Sequence, residues 1–321
     1  MKYRSLGQLA EVSVLGFGAA SISGEGGGYG FGDIGTEEAI RLVHRALDAG
    51  ITLFDTAPIY GFGLSEQRLG KALASQRDRA FLVSKSGVTW DNSKRVGVDN
   101  SLETTQRMLE QSLRDLQTER IDLYLIHWPD NNVDIRRTAE VLARAKEQGK
   151  IGAWGLSNTY PEDLAKAQEI DRVDVVQGQF NLFERYPKDA LFTSLKDQSI
   201  GFMSWGTLDK GILTGRVNRD RASYDASDVR SHASWWTEAN REPKFNTMDA
   251  LMPLLRDTGH TGLQMALAYV LGHEEVSTAL CGVRNDRQLD SALEALENLP
   301  NVEVMAEVEE IVQKKYFAEK K

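Results

Sequence analysis

The sequence predicts an α/β barrel in which eight parallel strands alternate with eight helices. Short β-branched runs and amphipathic helical patterns follow one another eight times, which is typical of a parallel sheet covered by helices. Eight such units close into a barrel more readily than they form an open sheet. No linker divides the units into two groups. We therefore expect residues 1–321 to form a single (β/α)8 domain.

The predicted strands are short runs bounded by glycine, proline or charged residues. They are 13–18, 52–55, 81–85, 123–127, 152–156, 173–177, 201–204 and 277–281. The predicted helices have apolar residues at helical spacing. They are 37–49, 64–74, 102–116, 135–148, 161–170, 188–197, 262–272 and 286–297.

Three further elements are expected outside this alternation. A β-hairpin is predicted before the barrel, and one more helix is predicted at 302–315. Residues 206–245 show no clear periodicity and are predicted to form a long loop after the seventh strand. Because loops after barrel strands lie on the face where active sites form, we expect this loop to act as a lid.

Composition excludes several classes of function. The net charge of −9 disfavours nucleic-acid and anionic-membrane partners. The single cysteine, Cys281, cannot form an intrachain disulfide, and the histidines lack the paired spacing of a metal site. No secretory signal or membrane span is recognisable. We expect a cytoplasmic, monomeric protein without a bound metal.

Four polar residues lie at or just after the carboxyl ends of successive predicted strands. They are Asp55, Tyr60, Lys85 and His127. In a barrel these strand ends meet at one mouth, so an acid, a phenol, an amine and an imidazole should converge there.

Together these side chains suit the reduction of a carbonyl by hydride. Tyr60 can donate the proton that the developing alkoxide needs, and a nearby Lys85 ammonium is expected to lower the pKa of the phenol. Asp55 can hold Lys85 in place. His127 can hydrogen-bond the substrate oxygen and help relay the proton.

The motifs around these residues resemble those of the aldo-keto reductase family. They are Phe54-Asp55-Thr56-Ala57, Tyr60-Gly61, Ser84-Lys85, Ile126-His127-Trp128-Pro129, Gly155-Leu156-Ser157-Asn158 and Gly211-Ile212-Leu213-Thr214-Gly215. The resemblance runs from Tyr3 to about Leu296. It implies a nicotinamide cofactor and the same catalytic tetrad.

The resemblance also implies which residues bind the cofactor. Ser157, Asn158 and Gln177 would bind the nicotinamide carboxamide, and Gly18 and Ala19 would allow its close approach. Asp55 would also contact the cofactor. Trp205 stands where the family usually has a stacking tyrosine. Gly206, Thr207 and Leu208 replace the family's usual Ser-Pro-Leu and should follow the pyrophosphate.

After the eighth strand, Gly282-Val283-Arg284 precedes a helix N-terminus, an arrangement suited to phosphate. The resemblance places the adenosine 2′-phosphate there, with Arg284 and Gln288 as contacts. NADP(H) is therefore the expected cofactor, and NAD(H) remains an alternative.

Aromatic residues in the predicted loops form a candidate substrate pocket. They are Phe62, Trp90, Trp128, Trp235 and Trp236. An aromatic rim suits sugars or rings, although each residue can equally pack the loops. Arg95 and Arg230 lie in the same loops and could meet an anionic substrate, although surface arginines commonly have no special role.

The expected activity is the reversible reduction of an aldehyde, ketone or sugar carbonyl. Two alternatives stay open. One is an NAD-dependent sugar or alcohol dehydrogenase of the same family, and the other is a cofactor-bound accessory subunit without catalysis.

Overall fold

The computed structural model describes residues 1–24, 26–221 and 223–318 and contains a closed barrel of eight parallel strands. In chain order the strands are β1 (Tyr3–Ser5), β2 (Glu11–Ser13), β3 (Leu15–Gly18), β4 (Leu53–Asp55), β5 (Phe81–Ser86), β6 (Val88–Trp90), β7 (Val96–Val98), β8 (Ile121–Ile126), β9 (Ile151–Ser157), β10 (Val175–Gln179), β11 (Gly201–Trp205) and β12 (Val276–Cys281). Around the barrel the order is β3-β4-β5-β8-β9-β10-β11-β12, and β12 pairs with β3 to close it. The predicted barrel is confirmed.

Helices follow the barrel strands and cover the outside of the sheet. They are α1 (Thr36–Asp48), α2 (Leu64–Leu73), α3 (Leu102–Asp115), α4 (Ile135–Glu147), α5 (Pro161–Gln168), α6 (Tyr186–Ala190), α7 (Phe192–Asp197), α8 (Glu238–Asp257), α9 (Gly262–Leu271), α10 (Asp286–Ala295) and α11 (Val302–Val312). None of the described helices is both long enough and apolar enough to span a membrane.

Strand alternation divides the core into two layers. In β8, Leu123 and Leu125 belong to the cluster inside the barrel, whereas Tyr124 and Ile126 belong to the cluster between sheet and helices. This is the period-two pattern of a strand buried on both faces. It decides which side chains of each strand can reach the barrel mouth.

The predicted N-terminal hairpin is present as β1 and β2. Leu6 and Val12 are fully buried and pack against the inside of the barrel. The turn at Gly7 lies against the backbone of Gly201, at the start of β11. The hairpin therefore closes the amino-terminal end of the barrel and leaves the carboxyl end for the site.

The structure corrects the predicted loop at 206–245. The loop ends at residue 237, and α8 begins at Glu238 with its N-terminus capped by the Thr237 side chain. Two prolines inside α8, Pro243 and Pro253, obscure the helical pattern in the sequence. The helix forms because it buries Met248, Leu251 and Leu255 against the barrel helices.

Smaller corrections concern three other segments. The predicted helix 188–197 is two short helices, α6 and α7. The last predicted helix ends as α-helix at Val312 and continues as one π-helical turn over Gln313–Phe317. The antiparallel hairpin of β6 and β7 follows β5 and was not predicted.

Candidate active site

The four residues of the expected tetrad meet at the carboxyl end of the barrel. Asp55 ends β4, Lys85 is the penultimate residue of β5, and His127 directly follows β8. These three strands are neighbours in the barrel. Tyr60 lies in the turn after β4, with its ring perpendicular to that of His127 and 5.8 Å from it, centroid to centroid.

Lys85 is held by the protein through all its hydrogen-bond donors. Its Nζ donates to Asp55 Oδ1 at 2.9 Å, to Asp55 Oδ2 at 2.8 Å and to the carbonyl oxygen of Thr56 at 2.7 Å. Its side chain is fully buried, and an ammonium has three donors. Lys85 therefore acts on Tyr60 through space, with Nζ 5.1 Å from the centre of the Tyr60 ring.

The electrostatics of Tyr60 differ from the sequence expectation. Burial and the nearby Asp55 carboxylate raise the pKa of Tyr60 well above its ordinary value. The expectation that Lys85 lowers this pKa is wrong here, because Asp55 balances the ammonium and burial penalises the phenolate. The phenol consequently keeps its proton at neutral pH and is available as a donor.

The imidazole of His127 is neutral for a related reason. Burial, and then the positive charge of Lys85, lower its pKa well below the usual value. A neutral imidazole carries one N–H that can donate to a substrate oxygen.

The three predicted carboxamide-binding residues form one hydrogen-bonded chain. Ser157 Oγ donates to Gln177 Oε1 at 3.4 Å, and Asn158 Nδ2 donates to Ser157 Oγ at 3.0 Å. The structure adds two links that the sequence did not indicate. Gln177 Nε2 donates to Asp55 Oδ1 at 2.7 Å, and Trp205 Nε1 donates to Asn158 Oδ1 at 2.9 Å.

The other predicted cofactor residues lie at or just after the carboxyl ends of β3, β11 and β12. Gly206 has φ +66°, which suits glycine, and its carbonyl oxygen accepts from Asn181. Thr207 is buried, whereas Leu208 is partly buried. Gly18 lies in contact with the Cys281–Gly282 backbone, and Val283 is joined to the residues after β3 through Ser21. Ala19 follows Gly18 and is fully buried.

Arg284 lies beside the loop that follows β3. Its backbone N–H donates to Gln288 Oε1 at 2.8 Å, and its Nη2 donates to the carbonyl oxygen of Asp33 at 2.7 Å. Its Nε is buried and has no hydrogen-bond partner among the described residues. One donor of this guanidinium is therefore left for an additional acceptor.

The loop after β3 and the segment after β11 are joined by hydrogen bonds in an arrangement that the sequence did not reveal. We call residues 30–33 and 227–229 together the strap. Gly32 N donates to the Ser227 carbonyl oxygen at 2.9 Å, and Val229 N donates to the Gly30 carbonyl oxygen at 2.8 Å. Arg230 is buried and donates to both oxygens of Asp228, so it is not the surface arginine that was expected. The Asp-x-Arg spacing of residues 228 and 230 was the sequence feature that could have indicated this ion pair.

The predicted aromatic residues fall into two pairs and one single residue. Phe62 and Trp90 pack edge to face at 5.4 Å, and Trp90 is carried by β6. Trp235 and Trp236 pack at 6.1 Å in the segment after β11, where Trp236 is buried. Trp128 directly follows His127 and is exposed. Of the five residues, Trp90, Trp128 and Trp235 are exposed.

Within the described ranges, no three His, Cys, Asp or Glu side chains cluster as a metal ion would require. Cys281 is a buried free thiol at the end of β12.

Comparisons with known proteins agree with this geometry. A model of the Aldo/keto reductase family matches residues 14–313. The aldo-keto reductase YhdN of Bacillus subtilis is 33% identical over 298 residues, covering 92% of this chain and 88% of that protein. An NADH-specific methylglyoxal reductase of Escherichia coli is 28% identical and covers 89% of this chain and 90% of its own length. The structure of a glycerol dehydrogenase from Gluconobacter oxydans matches with a TM-score of 0.85 and 31% identity, over 98% of this chain and 95% of that one.

Proposed function

The chain belongs to the aldo/keto reductase family and is an NAD(P)H-dependent oxidoreductase, and we propose that it reduces an aldehyde or ketone to an alcohol with NADP(H), using Tyr60 as the proton donor. The observation that carries this proposal is the fully buried Lys85, held by Asp55 and Thr56 beside the Tyr60 ring. Burying an ammonium is costly unless its hydrogen bonds are satisfied, and here the satisfied ammonium lies next to a protonated phenol.

The residues present fit a nicotinamide dinucleotide. Polar groups of Ser157, Asn158 and Gln177 lie next to Asp55 at the strand ends, where they can bind a carboxamide. Arg284 offers a cation whose Nε is buried without a partner among the described residues, beside the N-terminus of α10. The chemistry that the bound cofactor supplies is the hydride.

The protein's own part in the reaction is to bind the carbonyl oxygen and move one proton. The neutral His127 donates a hydrogen bond to that oxygen and orients it. As negative charge develops on the oxygen, Tyr60 Oη gives up its proton to it. The phenolate that remains is stabilised through space by the Lys85 ammonium, which Asp55 and the Thr56 carbonyl keep in place.

A direct assay tests this function. The purified protein is mixed with NADPH or NADH and a panel of aldehydes, ketones and sugars, and cofactor oxidation is followed. Because two relatives are named for methylglyoxal and glycerol, the panel includes methylglyoxal and glyceraldehyde, an aldehyde that oxidation of glycerol gives. A single slow cycle of cofactor oxidation across the whole panel would instead support the accessory-subunit alternative.

The names of the same relatives support an NAD-dependent dehydrogenase as the second candidate function. One is named as NADH-specific and another as a glycerol dehydrogenase. Running the assay in the oxidative direction with glycerol and NAD separates this candidate from the NADPH reductase.

Cofactor preference is expected to depend on Arg284. We expect Arg284→Ala to weaken NADP(H) binding about tenfold to a hundredfold, because a charge-assisted contact to phosphate contributes roughly 1.5–3 kcal/mol. NAD(H) binding should change little. Titration by tryptophan fluorescence measures both affinities. Arg287→Ala, on the exposed face of α10, is the matched control. If wild type binds NADP(H) and NAD(H) equally tightly, and Arg284→Ala leaves both affinities unchanged, Arg284 does not bind the phosphate.

The loop between β11 and α8 is expected to be protected by bound cofactor. The strap ties residues 227–229 to residues 30–33 beside Arg284, so a ligand bound beneath it should hold the loop closed. Limited trypsin digestion should cleave at Arg216, Arg219 and Arg221 more slowly with NADP(H) than without it. Cleavage at Arg172, before β10 at the opposite end of the barrel, serves as the internal control. Equal cleavage rates at the three loop arginines with and without cofactor would rule out a lid.

A further inference from the structure

A buried carboxyl group lies directly behind the lysine of the site. Glu66, on α2, is fully buried, and its Oε1 accepts a hydrogen bond from Ser84 Oγ at 2.6 Å. Its Oε2 is buried and makes no hydrogen bond to a described residue. A carboxyl with one unsatisfied oxygen is a costly group to bury, and it has no part in the mechanism above.

The register of β5 fixes the relation between Glu66 and Lys85. Ser84 pairs with Tyr124 of β8, which faces the helices, and Lys85 pairs with Leu125, which faces the barrel interior. Successive strand residues point to opposite faces. Glu66 is therefore bonded to the helix side of β5 one residue before Lys85, so the ammonium has Asp55 on one side of the strand and Glu66 on the other.

The groups that face Glu66 come from three elements. Lys85 of β5 is the nearby cation, Tyr124 of β8 is a phenol whose pKa is raised by burial and by Glu66, and Ser112 and Asp115 lie on α3. Burial raises the pKa of Glu66 to about 7, while its hydrogen bond with Ser84 opposes that rise. A proton can therefore enter or leave this carboxyl near neutral pH.

We propose that Glu66 is a positioning residue whose own charge sets how strongly the Lys85 ammonium stabilises the Tyr60 phenolate. The inference rests on the proposed function of Tyr60 as proton donor. An ionised Glu66 offsets part of the positive charge of Lys85 that stabilises the Tyr60 phenolate, and so slows proton donation. A protonated Glu66 leaves the ammonium at full effect.

The test compares the pH profiles of wild type and Glu66→Gln in the reductive direction between pH 6 and 8.5. The pKa of Tyr60 lies above this window and that of His127 lies below it, so neither group titrates within it. We expect kcat of the wild type to fall about threefold to tenfold as Glu66 ionises, because the carboxylate offsets part of the charge of the Lys85 ammonium. Glu66→Gln cannot ionise and should keep the acid-side kcat throughout.

Two further variants separate charge from packing. Ser84→Ala removes a hydrogen bond that favours the ionised carboxylate, so the inflection should move to higher pH. Tyr124→Phe changes the same buried layer without changing a charge in this window, so its inflection should stay near that of wild type. A wild-type profile without the inflection, or the same inflection in Glu66→Gln, would overturn the proposal.

Stability gives a readout that does not need activity. Because folding raises the pKa of this acid, its contribution to stability is present below the pKa of the unfolded chain and is lost as pH rises through about 7. The Tm of wild type should therefore fall relative to Glu66→Gln between about pH 4.5 and 7 and should level off above pH 7. If this Tm difference is seen but neither protein reduces any carbonyl, the proposed function fails and the titration of Glu66 stands. If both reduce carbonyls with the same pH profile, only the present inference fails.

Discussion

Replacing Tyr60 with phenylalanine is expected to lower kcat for carbonyl reduction about a hundredfold to ten-thousandfold, the usual contribution of a positioned general acid. The ring of Tyr60 packs against His127 and under Lys85, and phenylalanine preserves that ring while removing only the hydroxyl. Cofactor affinity and the free energy of unfolding should therefore change little. Steady-state kinetics with the best substrate of the panel, together with a cofactor titration, measure both effects.

Tyr29 provides the matched control for this experiment. It is a second tyrosine close enough to Tyr60 to raise its pKa, and its side chain is partly exposed. Tyr29→Phe should keep turnover near that of wild type if Tyr60 alone donates the proton. If Tyr60→Phe retains wild-type turnover, or Tyr29→Phe loses as much, the proton donor has been assigned wrongly.

The strand-end rule explains why the sequence could predict that Asp55, Tyr60, Lys85 and His127 meet. Asp55, Lys85 and His127 lie at or next to the carboxyl ends of three consecutive barrel strands, and the β6–β7 hairpin between β5 and β8 in the chain lies outside the barrel. Their meeting therefore depends only on counting strands. The hydrogen bond from Gln177 to Asp55 joins residues 122 positions apart on strands that are not neighbours, and its existence depends on side-chain length and rotamer. No local pattern carries that information.

The direction of the Tyr60 pKa shift was not predictable for a different reason. The sequence places a cation near the phenol, and a cation alone lowers its pKa. Whether the cation lowers the pKa of the phenol overall depends on how far the phenol is buried and on which groups accept hydrogen bonds from Lys85. Here the donors of Lys85 point to Asp55 and Thr56, and burial is the largest cause of the raised pKa of Tyr60.

Helix α8 shows the corresponding limit at the level of the fold. Local propensity disfavours a helix through Pro243 and Pro253, yet burial of its apolar face outweighs that cost. The β6–β7 hairpin was missed because its turn, residues 91–95, contains no glycine and so lacks the usual hairpin signal. Its turn is fixed by Asp91, whose Oδ1 accepts from the backbone of Ser93 and Arg95, and an aspartate in such a turn is common enough to be uninformative alone.

Replacing Lys85 with methionine is expected to have the largest effect on stability and an effect on turnover comparable to that of Tyr60→Phe. Methionine fills a similar volume but leaves the Asp55 carboxylate buried with Gln177 as its remaining side-chain donor. Breaking one side of a buried ion pair typically costs about 3–5 kcal/mol, because the other charge stays uncompensated. The Tyr60 phenolate also loses its nearby cation, so kcat should fall sharply even in molecules that remain folded.

The double variant Asp55→Asn/Lys85→Met separates these two consequences. Removing both charges removes the unpaired carboxylate, so the free energy of unfolding should recover most of the loss, whereas turnover should stay low because the cation is still absent. Urea denaturation of wild type, both single variants and the double variant gives the coupling energy, and cofactor oxidation on the same samples gives kcat. If the double variant regained activity along with stability, Lys85 would be needed only to neutralise Asp55. A coupling energy near zero would instead mean that the two side chains do not depend on each other in the folded protein.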